Sequence, residues 1–141
     1  MQFVSTRGQS PAVGLSAAIA AGLAPDGGLY VPQVLPAPRE LQAGATLADT
    51  AADLLAPFFA GDALEAALPS ICREAFDFPV PLRALGDGDH VLELFHGPTA
   101  AFKDIGARFL AGTLSQLQAG KDRDLTIVVA TSGDTGAAVA A

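Results

Sequence analysis

The residues from Leu125 to Thr131, LTIVVAT, form a nearly unbroken apolar run, and no other feature of the chain restricts its fold so strongly. A strand that is apolar on both faces needs cover on both, which a parallel sheet flanked by helices provides. Its surroundings agree with that setting. VLELF (Val91 to Phe95) reads as an earlier strand, KDIGARFLAGTLSQLQ (Lys103 to Gln118) as a helix, and GAAVAA as the opening of another helix. Residues 80–141 are therefore predicted to be a β-α-β-α series, the beginning of a parallel-sheet domain.

Upstream the rhythm differs. Ser10 followed by Pro11 is a good helix start, predicting a helix from there to about Leu23, with Gly22 near its end and Asp26-Gly27-Gly28 turning the chain. LYVP then reads as a short strand stopped by Pro32. Two alanine-rich helices follow, Thr46 to about Phe59 and Asp62 to about Phe76, each with an acidic residue three positions after its cap. Leu47, Leu54, Leu55 and Phe58 are expected on the buried side of the first, and Leu64, Leu68, Ile71 and Cys72 on that of the second. The segment FPVPLRALGDGDH, rich in Pro, Gly and Asp, places a domain boundary near Phe78 to Pro81. The expected organisation is an α/β protein with a small, mostly helical N-terminal domain (1–79) and the start of a second domain (80–141).

Fifteen acidic against eight basic side chains give a formal charge of -7, which opposes binding to nucleic acid or to an anionic membrane face. The uncharged stretch between Arg7 and Asp26 is broken by Pro11, Gly14 and Gly22 and is too weakly apolar to span a bilayer, so a cytoplasmic protein is expected. The single cysteine, Cys72, reads as a buried structural thiol, and with His90 and His96 it cannot complete a four-ligand zinc site without carboxylates.

In parallel α/β sheets, ligands bind where strands lead through loops into helix N-termini. Two loops occupy that place, HGPTAAFKD and SGDTG. Lys103, one of two lysines, ends the first loop behind apolar neighbours. Apolar packing and the positive end of a helix both favour a neutral amine, the form that attacks an aldehyde. A surface lysine opening a helix fits the flanking residues equally well. SGDTG offers close backbone approach and N-H donors at a strand-to-helix turn, a pattern that ligand sites and plain turns share. It lacks the Gly-Lys-Ser/Thr ending of a P-loop. His96, beside Gly97 and Pro98, is assigned no catalytic role. His90 and the run Lys121-Asp122-Arg123-Asp124 read as solvated.

Four segments carry a resemblance. ELFHGPTAAFKD resembles the cofactor-lysine motif of threonine synthases, ATSGDTG their second active-site motif, and STRG with GLAPDGGLYVP is similar to their N-terminal signature. The resemblance implies a fold-type II enzyme that uses pyridoxal 5'-phosphate (PLP) to convert O-phospho-L-homoserine and water into L-threonine and phosphate. By the same resemblance Lys103 holds the cofactor and moves the Cα proton of the substrate. Thr131, Ser132, Gly133, Thr135 and Gly136 would line the substrate carboxylate and the cofactor edge, with Asp134 facing the pyridoxal 3'-oxygen.

Threonine synthases are about three times longer. The loop for the cofactor phosphate and the partner of the pyridine nitrogen are expected downstream of Ala141, where the chain stops inside a helical pattern. The expectation is thus a fragment that is inactive alone. The competing readings are a sister PLP lyase such as threonine dehydratase, and a catalytically silent threonine-synthase-like protein that binds phosphorylated ligands.

Overall fold

The computed structural model describes residues 1–38, 40–41, 45–122 and 125–141. The chain divides into two compact units, Met1–Ser70 and Ile71–Ala141.

In the first unit, β1 (Phe3–Ser5) pairs antiparallel with β2 (Tyr30–Pro32), in the register Phe3 to Pro32 and Ser5 to Tyr30. The strand at LYVP is as expected, but the first helix is shorter than its Ser-Pro start suggested. Helix α1 spans Leu15–Ala21, because Val13 exchanges two backbone hydrogen bonds with Phe3 (2.8 and 3.0 Å) and holds the preceding residues extended. Ser10 caps no helix; its hydroxyl accepts the Asp26 N-H. The N-cap of α1 is Gly14, which has no side chain to offer. Asp62 supplies the missing acceptor, taking the Ser16 N-H at 3.1 Å together with the Ser16 hydroxyl proton. Burial pushes the pKa of Asp62 up, but these donors and the Leu64 N-H more than offset it and leave the carboxyl below its ordinary value.

Helix α2 (Leu47–Phe59) begins as read, with the Thr46 hydroxyl accepting the Asp49 N-H at 3.1 Å. Its buried residues are Ala48 and Phe59, while Leu54 is exposed, so the inward face is rotated from the expected leucine stripe. The next helix is broken. A 3-10 turn at Glu65–Ala67 precedes α3 (Leu68–Ala75). Pro69 has no N-H to continue an α-helical ladder from the preceding turn and so falls in the first turn of α3. Leu64, Leu68, Ile71 and Cys72 are all buried, as their spacing implied, and the Cys72 thiol is free and pushed up in pKa by burial.

In the second unit, the segment rich in Pro, Gly and Asp carries a hairpin. β3 (Leu82–Gly86) pairs antiparallel with β4 (Asp89–Leu92) through a Gly86-Asp87-Gly88 turn, all three residues having positive φ. Such turns match strand twist, which favours glycine flanking aspartate here. The pairing shifts the expected Val91–Phe95 strand toward the N-terminus. Helix α4 (Lys103–Gln118) falls where the sequence put it, and α5 (Asp134–Ala140) packs against it.

No parallel sheet forms among the described residues. Leu125–Thr131 is not a strand; its residues are exposed, Val128 by 88%. A strand is stabilised by hydrogen bonds to a neighbour, and β3 and β4 pair only with each other among the described residues. Of the charged turn after α4, Lys121 and Asp122 are exposed, while Arg123 and Asp124 lie outside the described residues.

Candidate active site

Lys103 opens α4 at the end of a tightly closed loop. Ala100 N-H donates to Gly97 O (3.1 Å), and Asp104 N-H to Ala101 O (3.1 Å). Phe102, the N-cap, contributes no side-chain hydrogen bond. The carboxylate of Asp104 instead reaches back, accepting the Thr99 N-H at 2.9 Å and the Thr99 hydroxyl proton at 2.6 Å. Asp104 is completely buried. An acid in the first turn also meets the positive end of the helix, which helps to offset the loss of water.

The Lys103 side chain is half-buried, with Nζ 4.5 Å from the centroid of the half-exposed Phe102 ring. Among the described residues it forms no ion pair. No carboxylate therefore ties up its nitrogen, and when neutral the amine can attack a carbonyl carbon brought over the Phe102 side. These features fit an aldehyde cofactor.

Thr131 to Gly136 form one compact turn into α5. Gly133, with φ of 145°, is the N-cap, and its N-H donates to the Thr131 hydroxyl at 3.2 Å. A Cβ on Gly136 would lie 2.6 Å from Thr131 Cγ2, so the turn needs glycine there. Thr131, Ser132, Gly133 and Asp134 are exposed, and Thr135 and Gly136 half-buried. The fold thus gathers these six candidates in one turn. Because α4 and α5 pack together, that turn and Lys103 belong to one helix pair, although no hydrogen bond joins them among the described residues.

Three features escaped the sequence reading. The first is the Asp104 to Thr99 brace, whose only sequence signal is an acid after the lysine. The second is His96, whose Nε2 lies 2.7 Å from Glu93 Oε2 while its ring packs on Phe95. Glu93 also faces Arg83 at 3.7 Å. The third is the purpose of the N-terminal motifs, which lock one another. Asp26 accepts the Ser5 hydroxyl (2.6 Å), the Gly28 N-H (2.9 Å) and the Gln9 N-H (3.0 Å). The Ser5 bond above all, aided by those to Gly28 and Gln9, lowers Asp26 from 3.8 to about 2 against a smaller opposing effect of burial. A Cβ on Gly28 would meet Arg7 N and Asp26 Oδ1 at 3.0 Å, so a second motif glycine is required by the lock.

The second unit is thus an α/β unit in which a lysine without an ion pair among the described residues follows a braced loop at the start of α4. The chain belongs to the threonine synthase family, matching the model described as the threonine synthase N terminus over residues 2–76. It is 42% identical to threonine synthase of Pseudomonas aeruginosa, over 98% of this chain and 31% of that protein. The crystal structure of PLP-bound threonine synthase from Brucella melitensis superimposes with a TM-score of 0.87 at 42% identity, over 99% of this chain and 32% of that one. The Escherichia coli enzyme's structure gives 0.84 at 35% identity, over 99% and 33%. The chain therefore spans about a third of the length of these relatives.

Proposed function

We propose that these residues serve a threonine synthase, a PLP-dependent lyase that converts O-phospho-L-homoserine and water into L-threonine and phosphate, with Lys103 as the lysine that holds the cofactor. One observation carries this reading. Lys103 has no carboxylate partner among the described residues and is presented by a braced loop, in a chain that follows a PLP-bound enzyme closely along its whole length.

When bound, PLP supplies an electron sink for charge developing on the substrate carbons. This chain's share is positional. Lys103 Nζ holds the cofactor and, once released by substrate, takes the Cα proton. Ser132 and Thr135 offer hydroxyls, and the backbone of Thr131, Gly133 and Gly136 offers close approach to the substrate carboxylate and the cofactor edge. Asp134 would face the pyridoxal 3'-oxygen, where it would share a proton or meet a cationic neighbour so that two oxyanions do not oppose each other.

The fold-type II architecture is part of the same proposal. Leu125–Thr131 becomes a parallel strand when segments matching the remainder of the relatives lie beside it, and 80–141 opens the catalytic domain after a separate 1–79. It follows that the 141 residues alone hold PLP weakly and turn over nothing. A cytoplasmic setting, with small-molecule substrate and neither nucleic acid nor membrane as partner, belongs to this reading.

The test is an assay of the longest product of the gene with O-phosphohomoserine. Phosphate and threonine should appear in equal amounts, and Lys103→Ala should abolish both. Turnover of threonine in place of O-phosphohomoserine would favour the dehydratase reading, and no turnover of either would favour a silent binding protein.

A further inference from the structure

We propose that Asp104 is the positioning residue for Lys103: by pinning Thr99 from the other side of the lysine, its buried carboxylate fixes where the amine leaves α4. The proposal rests on the reading of Lys103 as the cofactor lysine.

Aspartate is almost never fully buried without partners. Asp104 is completely buried, and both of its hydrogen bonds come from one residue, Thr99, through the N-H (2.9 Å) and the hydroxyl (2.6 Å). These bonds close a ring of chain from Thr99 to Asp104, and Lys103 lies inside it. Its backbone cannot swing without breaking a buried, charge-assisted contact.

The loop closes on the carboxylate from a second side. A Cβ at Gly97 would come within 2.8 Å of Asp104 Cβ and 2.9 Å of Cγ, so only glycine lets this backbone lie against the acid. Within the ring sits Ala100 at φ 55°, a left-handed conformation that is unfavourable for a residue with a side chain. Backbone strain of this kind persists where the surroundings overdetermine it. Here the surroundings are the Thr99 to Asp104 bonds and the turn from Ala100 N-H to Gly97 O.

The usual device for fixing a helix start is missing, since Phe102 makes no side-chain cap. Asp104 takes over that task from inside the first turn, yet its donors belong to the loop rather than to the helix. What it stabilises is the path into Lys103 more than the helix itself. A lysine stem is flexible and a displacement of about 1 Å at a reacting atom can cost on the order of a hundredfold in rate, so control of the root matters.

The test uses the longest gene product and the variants Thr99→Val, Thr99→Ser, Asp104→Asn and Gly97→Ala. At saturating PLP one measures the rate at which borohydride-trappable label accumulates on Lys103, with melting temperature recorded alongside. Thr99→Val keeps the backbone bond and the side-chain shape but removes the hydroxyl donor. It should slow labelling about tenfold or more, with Asp104→Asn and Gly97→Ala at least as slow, while Thr99→Ser stays close to the unaltered protein. In every case the label should remain on Lys103. Unchanged labelling rates in Thr99→Val and Asp104→Asn, even with lower melting temperatures, would show Asp104 to be a folding residue only and overturn the proposal. If Asp104→Asn does not fold, the Thr99 pair decides. Absence of label on Lys103 in the unaltered protein would instead overturn the cofactor-lysine reading on which the proposal stands.

Discussion

Removing the Arg108 guanidinium should unfold the second unit more readily than any other single surface truncation there. Helix α3 ends without enough donor partners for its last carbonyls, as every helix does. Arg108 supplies them from α4, donating from Nε to Ala75 O at 2.9 Å and from Nη2 to Glu74 O at 2.6 Å. The same Nη2 reaches Asp77 Oδ1 at 2.8 Å, and the guanidinium lies 5.9 Å from the Phe78 ring centroid. The Arg108 side chain is 21% exposed and that of Asp77 61%, and of the three bonds only that to Ala75 O is sheltered. A hydrogen bond to a charged group contributes roughly 1.5–3 kcal/mol; taking the lower end for the Ala75 bond and about 0.5–1 kcal/mol for the exposed Glu74 bond gives about 2–2.5 kcal/mol for the two. An exposed ion pair adds about 0.2–1 kcal/mol. Arg108→Ala should therefore cost about 2–3.5 kcal/mol, and Asp77→Ala under about 1 kcal/mol. With a urea dependence of roughly 1–3 kcal/mol/M, the first variant should lower the unfolding midpoint by about 0.7–3.5 M, followed by far-ultraviolet circular dichroism. Equal losses in the two variants would refute the reasoning, because the ion pair and not the carbonyl capping would then be the source.

Asp26 gives a pH dependence of known sign. Its folded-state pKa of about 2 lies below the ordinary 3.8, so its stabilising effect is complete above about pH 4 and is lost as pH falls from there toward 2. Asp26→Asn should flatten the acid limb of the first unit's stability curve; an unchanged limb would contradict the assignment. Gly106 is an exposed helical glycine at which a Cβ would meet nothing within 4 Å. Gly106→Ala should raise stability by roughly 0.5–1 kcal/mol in a denaturant titration, and a loss would show that the space is needed. Cys72 is fully buried and its thiol pKa is raised by burial, so a maleimide at neutral pH should label it slowly when folded and rapidly in urea. Rapid labelling of the folded chain would show that α3 is open there.

Local signals carried much of the fold. The Thr46 cap, the helix from Lys103 and the burial of Leu64, Leu68, Ile71 and Cys72 follow from neighbours within a few positions, and all are as read. Errors arose where a distant partner overrode local preference. Ser10-Pro11 looks like a helix start until Val13 pairs with Phe3, and the acceptor of the Ser16 N-H in the first turn of α1 is Asp62, 46 residues away. LTIVVAT shows the same limit in reverse, since its composition demands neighbours that the described residues do not provide. In the candidate site, lysine and glycine-rich turn stand out by residue type. The brace from Asp104 does not, because an acid beside a lysine is common and only the fold brings Thr99 to it.

The central claim is that Lys103 holds the cofactor, and reductive trapping tests it most directly. The longest gene product is mixed with PLP, reduced with borohydride and digested, and the modified peptide is identified by mass. The account predicts the pyridoxyl mass on Lys103 and none on Lys121, with the label lost in Lys103→Ala. Label spread evenly over both lysines, or absent from Lys103, would contradict it.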